Sequence, residues 1–544
     1  MKGPLFGAPN ADDDLLLKEC TVDHQVKRYL NPIIVGRWGT GKSAILITRA
    51  KALEAILESQ DIFSKRDWYI REQDLQPKSI FGLQKRFAES RDMFDNTLQE
   101  IWKSEIVRRT VLILSKLAVH YGERDFVLNA HWKLIKAFSI KGNVSESLWA
   151  SVENVLDVIF PSEERRNAVK GFSEFFNELT SQKLYIAAQR CILDLEKNGL
   201  VTPIIGIEPL ETPASKLDAD VSVSQSVIAA LLNCFRNNFV RSDIQRIRVI
   251  ISIPWNRISK EQITLPQHVD PYMEELRWTK EDLRVFICKR IEYEARKRGV
   301  KLNTRPGYDE WDAIFSSTVE NGNYTEREEK VEKSFDYVCR HTLWRARDIQ
   351  TITRECVNHY CTKQGNIRTS EFFRKRMQVD EITIKESVAE AAERNASLRL
   401  EEARRKYKFK FDPYTALYGM KVPFADSALK ARIGADAKHT EWATLLQVLW
   451  DSGIIGYLVE IKTEGALRSF RTRFGDDSLR IRRGKGYLAK GFLFQYNTPS
   501  SSRALSIIST FADDNSSYNV RGILHPTFNE YLDLHVQGDG PLGC

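Results

Sequence analysis

The residues with the clearest chemistry are Gly36-Arg37-Trp38-Gly39-Thr40-Gly41-Lys42-Ser43, with glycine at the first and sixth positions and Lys-Ser directly after. The apolar run Pro32-Ile33-Ile34-Val35 precedes them, and a helical stretch opens behind them at Ala44-Ile45-Leu46-Ile47. Strand, glycine loop and helix N-terminus in that order aim backbone N–H groups at one point, where the helix dipole also favours negative charge. Phosphate oxygens satisfy that geometry. Lys42 is expected to reach the β- and γ-phosphates and the Ser43 hydroxyl to bind Mg²⁺, with Gly36 through Ala44 lining the polyphosphate. The spacing therefore predicts a site for ATP and Mg²⁺.

Hydrolysis asks for more than binding: a carboxylate for the metal and a group that orients the attacking water. Thr202-Pro203-Ile204-Ile205-Gly206-Ile207 reads as a buried strand, and Glu208 at its end is the predicted metal carboxylate. Glu211 is the matching candidate for polarising water, and the two roles could be exchanged. A further strand, Arg248-Val249-Ile250-Ile251-Ser252-Ile253, leads to Asn256 and Arg257. Either one is placed to donate to growing charge on the γ-phosphate, ahead of Ser252, which is expected to face the sheet interior. In Arg340-His341-Thr342-Leu343-Trp344-Arg345-Ala346-Arg347-Asp348, Arg347 is favoured over Arg345 as the nucleotide-facing group. The other arginine would then pair with Asp348 or a neighbouring acid.

These residues need a scaffold. Trp68-Tyr69-Ile70-Arg71 reads as another strand, and the pattern from about Gln84 to Lys197 is helical, more than a single crossover requires. A helix over Val227 to Phe239 then separates two strands, which implies a parallel sheet with ligands beyond its carboxyl ends. The alanine-rich, charged run between Glu386 and Lys408 reads as a solvated helix or a coiled partner contact. Near the end, a helix around Trp442 to Leu449 precedes strands at Tyr457–Ile461 and Gly491–Tyr496. Helices followed by a β-hairpin predict a winged helix. The expected fold is α/β: a P-loop parallel-sheet core over about residues 1–265, with a helical insertion at about 84–197. A helical lid (about 266–375), a charged helical linker (about 376–432) and a winged-helix-like α+β domain (about 433–544) follow.

A chain of 544 residues exceeds one ordinary core, in keeping with several domains. No apolar run approaches the roughly 20 residues of a membrane helix, so no membrane role is expected. The N-terminus lacks a hydrophobic signal region, and eight scattered cysteines are no disulfide framework, which together predict a reducing cytoplasm. Cys356-x-x-His359-x-Cys361 lies in a helical pattern and reads as packed helix residues rather than metal ligands.

With these elements in order, the chain resembles the ASCE division of P-loop ATPases, near the AAA+, KAP and STAND groups. It is most similar to bacterial members with a C-terminal winged-helix-like domain, some of which occur in anti-phage defence loci. Phe6-Gly7-Ala8-Pro9-Asn10-Ala11-Asp12-Asp13-Asp14, Gly36 to Ser43, Ile251 to Arg257, Arg340 to Asp348 and Leu524-His525-Pro526-Thr527-Phe528 carry the likeness. It implies nucleotide-driven conformational change and self-association into a homo-oligomer. Glu208-Pro209-Leu210-Glu211 departs from the Asp-Gly-Leu-Asp often seen there, and Ala346 from the proline common in the lid motif.

Between Lys462 and Lys490 stand nine basic residues against three acidic ones, most of the net charge of +8. Arg471, Arg473, Arg480, Arg482, Arg483 and Lys485 are the candidates for nucleic-acid contact, with Phe470, Phe474 and Tyr487 interleaved. An acidic protein partner or a solvated loop are the rival readings. No nuclease, protease or deaminase constellation is present, so destructive chemistry would belong to an effector protein encoded nearby. The leading expectation is an ATPase coupling nucleotide state to assembly or movement on nucleic acid or a partner. The alternatives are an ATP-gated DNA-binding regulator that hydrolyses slowly or not at all, and a small-molecule kinase.

Overall fold

Ile33, Ile34 and Val35 are buried on successive, oppositely directed positions, so their strand is covered on both faces. That is the environment of a parallel sheet enclosed by helices. A computed structural model of the chain describes residues 31–37, 39–58, 67–75, 77–122, 124–140, 182–210, 221–240, 246–254, 258, 269–302, 309–320, 331–407, 412–433, 439–475, 479–480, 486–495, 498, 508–529, 531–532 and 534–536. Packing groups them into two units. Residues 31–37 and 42–276 form the first, and Gly39–Gly41 with the residues from Arg277 onward form the second.

The first unit holds a five-stranded, all-parallel sheet made of β1 (Ile33–Gly36), β2 (Tyr69–Arg71), β3 (Ile204–Glu208), β4 (Arg248–Pro254) and β5 (Met273–Glu275), in the order β2-β3-β4-β1-β5. The helix after the glycine loop, α1 (Lys42–Glu58), packs on β1, β3 and β4. Between β2 and β3 lie α2 (Pro77–Arg86), α3 (Arg91–His120), α4 (Ala130–Ile140) and α5 (Gln182–Lys197), the helical insertion. The helical pattern read around Leu148 to Phe160 falls outside the described residues. The next helix, α6 (Val221–Phe235), leads from β3 to β4 and packs along α3, where Trp102 Nε1 donates to the Val227 carbonyl at 3.3 Å. The sheet extends past the expected boundary at 265, because β5 adds to the outer edge of β1.

The second unit differs more from expectation. The segment read as a helical lid contains α7 (Lys280–Lys297), opened by a Thr279–Asp282 capping box, and α8 (Ala346–Lys363). It also contains an antiparallel strand pair, Thr318–Glu320 with Val331–Lys333, which the helical reading missed. The charged run, α9 (Glu381–Tyr407), is neither a linker nor a solvated helix. Ile384, Val388, Ala391, Ala396, Leu400 and Ala403 recur at three- to five-residue spacing and are buried in the core of this unit, against α8. Alanine hides such a stripe from a reading that weighs charge, since it adds little hydrophobicity while letting helices approach closely.

The C-terminal segment is α+β, and the two strands read there from the sequence do pair antiparallel after a helix, though within a larger sheet. After α10 (His439–Asp451) come β6 (Ile455–Ile461), β7 (Leu479–Arg480), β8 (Ala489–Leu493) and β9 (Tyr518–Leu524), an antiparallel sheet in the order β7-β8-β6-β9. The basic excursion, Lys462 to Lys490, is not loop throughout: α11 (Glu464–Phe474), capped by Thr463, lies in its first part and β7 follows. Its Ala466, Leu467, Phe470 and Phe474 are buried, at the spacing of one helix face. Gly491 on β8 leaves room for that helix, since a Cβ there would come within 2.2 Å of the Phe470 ring. No described helix is long and apolar enough to cross a membrane.

Candidate functional site

Parallel pairing puts the ends of β1, β3 and β4 at one edge of the sheet. Gly36 stands beside Pro254, and Ile207 beside Ile251, so Glu208 ends β3 next to Ser252. The loop leaving β1 turns through Gly39 (φ 80°) and Gly41 (φ 95°), conformations that a side chain would strain. Lys42 and Ser43 then begin α1.

The side chains converge on Glu208, which is buried. The Ser43 hydroxyl donates to its Oε1 at 2.9 Å, and the Ser252 hydroxyl donates to the same oxygen at 3.3 Å. The Tyr69 hydroxyl donates to Oε2. The glycine-loop serine and the carboxylate closing β3, read separately from the sequence, are therefore in direct contact. Ser252 is fully buried, as expected, yet its hydroxyl turns toward the carboxylate rather than away from the chemistry. Tyr69 is the residue that sequence reasoning missed as part of the site. Its place in a strand was legible, but nothing in the local pattern ties a phenol on β2 to the end of β3.

Lys42 is buried as well, and its Nζ donates to the Arg37 carbonyl at 2.8 Å, so the ammonium lies along its own loop. Gly39, Thr40 and Gly41 form the loop tip, which groups with the second unit. There the Trp278 Nε1 donates to the Thr40 carbonyl at 2.7 Å, and the Arg347 N–H reaches the Gly39 carbonyl at 3.4 Å. In the same unit Arg345 is buried and its Nε donates to Asp348 Oδ2 at 3.0 Å, an acid that also accepts the Leu343 N–H. Arg347 is exposed. The two arginines are thus divided: one is committed to the ion pair that starts α8, the other is exposed, with its aliphatic stem beside Gly39 of the loop tip. Trp344, just before them, is held at φ 49°, costly for a bulky residue. His341 is half-buried, and desolvation of its ring, with Arg340 beside it, lowers its pKa to about 3, so the ring is neutral near pH 7. Trp38, Glu211, Asn256 and Arg257 lie outside the described residues.

Serine hydroxyl and glutamate carboxylate are hard oxygen donors of the kind that suits Mg²⁺, whose remaining positions are ordinarily filled by water and phosphate oxygens. Among the described residues no trio of His, Cys, Asp and Glu could hold a metal by itself. Cys356 is buried in α8, and burial pushes its thiol up to about 12. His359, one turn on, faces Glu386 (3.6 Å) and Ser387 (3.4 Å) on α9 instead.

In the C-terminal sheet, Arg468, Arg471 and Arg473 are exposed on α11, and Arg473 lies over the Phe511 ring at 5.6 Å from its centroid. Arg480 falls on β7, while Arg482, Arg483 and Lys485 lie outside the described residues. No family model, curated protein or solved structure matches the chain.

Proposed function

We propose that the chain binds ATP with Mg²⁺ at the glycine loop and hydrolyses it, using the change of nucleotide state to drive assembly or movement on a nucleic acid or protein partner. The observation that carries this reading is the 2.9 Å contact between Ser43 and Glu208, which unites the loop and the acidic strand end at one edge of a parallel sheet. Bound Mg²⁺ would neutralise phosphate charge there, held by Ser43 and Glu208. Loop N–H groups and Lys42 would grip the β- and γ-phosphates. In exchanging the Arg37 carbonyl for phosphate oxygens, the Lys42 ammonium would trade a neutral acceptor for a charged one. Glu208, buried among hydroxyl donors, is suited to holding a fixed orientation, and Glu211 remains our candidate for orienting the attacking water.

A second reading has its own support. Both oxygens of Glu208 already accept hydrogen bonds from Ser43, Ser252 and Tyr69, which favours a slow or non-hydrolysing ATP-gated DNA-binding regulator. Phosphate release at saturating Mg²⁺-ATP, measured with and without DNA, separates the two. Turnover abolished by Lys42→Ala supports the ATPase; tight binding with no release supports the switch; no binding at all removes both.

For the output surface we propose the exposed arginines of α11, with nucleic acid as the partner and self-association into a homo-oligomer as the mode of action. A place in bacterial anti-phage defence, acting with an effector encoded nearby, rests on the sequence resemblance alone. Phage challenge of cells expressing the protein or its Lys42→Ala variant tests it.

A further inference from the structure

The two oxygens of Glu208 have different neighbours: Ser43 and Ser252 on Oε1, and Tyr69 alone of the three on Oε2. The Tyr69 phenol is itself held by several groups of the first unit. Its ring stacks on Trp68, with centroids 5.0 Å apart and planes 12° from parallel. Trp68 is anchored in turn, its Nε1 donating to Glu54 Oε1 on α1 at 3.2 Å. Gly206 supplies the space, since a Cβ there would lie 2.7 Å from the Trp68 ring. On β2 itself, the Arg71 guanidinium sits over the phenol at 4.6 Å from the centroid. A cation over an aromatic face draws on its electron density and makes the hydroxyl a stronger donor. The strand end is fixed too: Asp74 accepts the Arg71 N–H at 2.9 Å and stands 3.8 Å from Arg109 in a buried ion-pair network.

The terminal torsion of a glutamate is broad and nearly two-fold, so without a tie on the second oxygen the carboxylate can swing. Building on the nucleotide-hydrolysing reading above, we infer that Tyr69 is a positioning residue that dictates which carboxylate oxygen of Glu208 faces Ser43 and the Mg²⁺ held beside it. It touches neither nucleotide nor metal in this role. It acts through Glu208, and Arg71, Trp68 and Gly206 act through it.

Tyr69→Phe keeps the ring and its stacking and removes only the hydroxyl. The expected result is a kcat lowered about tenfold with the ATP KM within about twofold, the pattern of an interaction needed in the transition state rather than for ground-state binding. The Mg²⁺ concentration for half-maximal rate should rise, which a residue serving packing alone would not cause. In the nucleotide-free protein, the melting-temperature losses of Tyr69→Phe and Glu208→Ala should be less than additive when combined, because each removes the same hydrogen bond. Lys42-dependent turnover with unchanged kcat and Mg²⁺ requirement in Tyr69→Phe, or strictly additive melting losses, overturns the inference while leaving the ATPase reading intact. Absence of Lys42-dependent turnover in the unaltered protein overturns that reading, and the role of Tyr69 with it.

Discussion

The five-stranded parallel sheet and the four-stranded antiparallel sheet each use a glycine to seat an aromatic ring, and they use it to different ends. In the parallel sheet, Gly206 leaves room for Trp68, which supports the phenol that reaches Glu208. In the antiparallel sheet, Gly491 leaves room for Phe470 and so lets α11 lie on the strands. The first seat organises a carboxylate at the end of a strand; the second simply packs a helix whose outer face carries arginines. The candidate site in the first unit is a set of largely buried polar groups that bond one another, whereas the arginines of α11 on the C-terminal sheet are exposed. The two regions should therefore respond very differently to equivalent changes.

The largest contrast is expected in turnover. Glu208→Gln should retain ATP binding by calorimetry and lower phosphate release about a hundredfold or more, while Arg471→Glu should leave release measured without nucleic acid unchanged. Normal release in Glu208→Gln would dismiss the carboxylate assignment.

Stability gives the next contrast. Glu105 on α3 is fully buried between Arg108 (2.6 Å) and Arg109 (2.8 Å). Glu105→Gln removes the charge facing two buried arginines and should cost about 3–5 kcal/mol. Glu460 on β6 pairs with the more exposed Arg521 at 2.8 Å, and Glu460→Gln should cost no more than about 1 kcal/mol. Denaturation curves that rank the two equally would erase this distinction. Burial by itself would raise the pKa of Glu105, but the charges and hydrogen bonds of Arg108 and Arg109 outweigh it and hold it at about 2. Because the folded-state value lies below the ordinary 4.5, this carboxylate's contribution is complete above that pH and is lost as pH falls through about 2. Melting temperature in Glu105→Gln should accordingly be less acid-sensitive than in the unaltered protein across that window.

The arginines of α11 offer the gentlest effect. Arg468→Glu, Arg471→Glu and Arg473→Glu together should flatten the salt dependence of DNA binding, by about 0.9 in logarithmic slope for each phosphate no longer neutralised. An unchanged slope would move the interface elsewhere.

Legibility in the sequence followed the same division. The glycine loop, its strand, Glu208 and the parallel order could be read because each depends on local residue types: flexible turns, apolar runs and a charge just past an apolar run. The ion pair of Arg345 with Asp348 was legible as one of two options, because arginines so close together cannot both hold one phosphate and one is left for an acid. Tyr69 was not, because its partner is far away in sequence and joined only by sheet register. In the second unit, charge misled. The alanine stripe of α9 is buried although its composition reads as solvated, and the basic excursion after β6 conceals the apolar face of α11. Charge density says which surface meets water, not which backbone shape lies beneath.

Lys42, Ser43 and Glu208 are proposed to form together one site for a magnesium-bound triphosphate. Calorimetric titration of Mg²⁺-ATP into the purified protein and its Lys42→Ala variant tests it most directly. Measurable binding is expected, weakened by the substitution by about ten- to a hundredfold. No heat from the unaltered protein, or equal affinity in both, would contradict it.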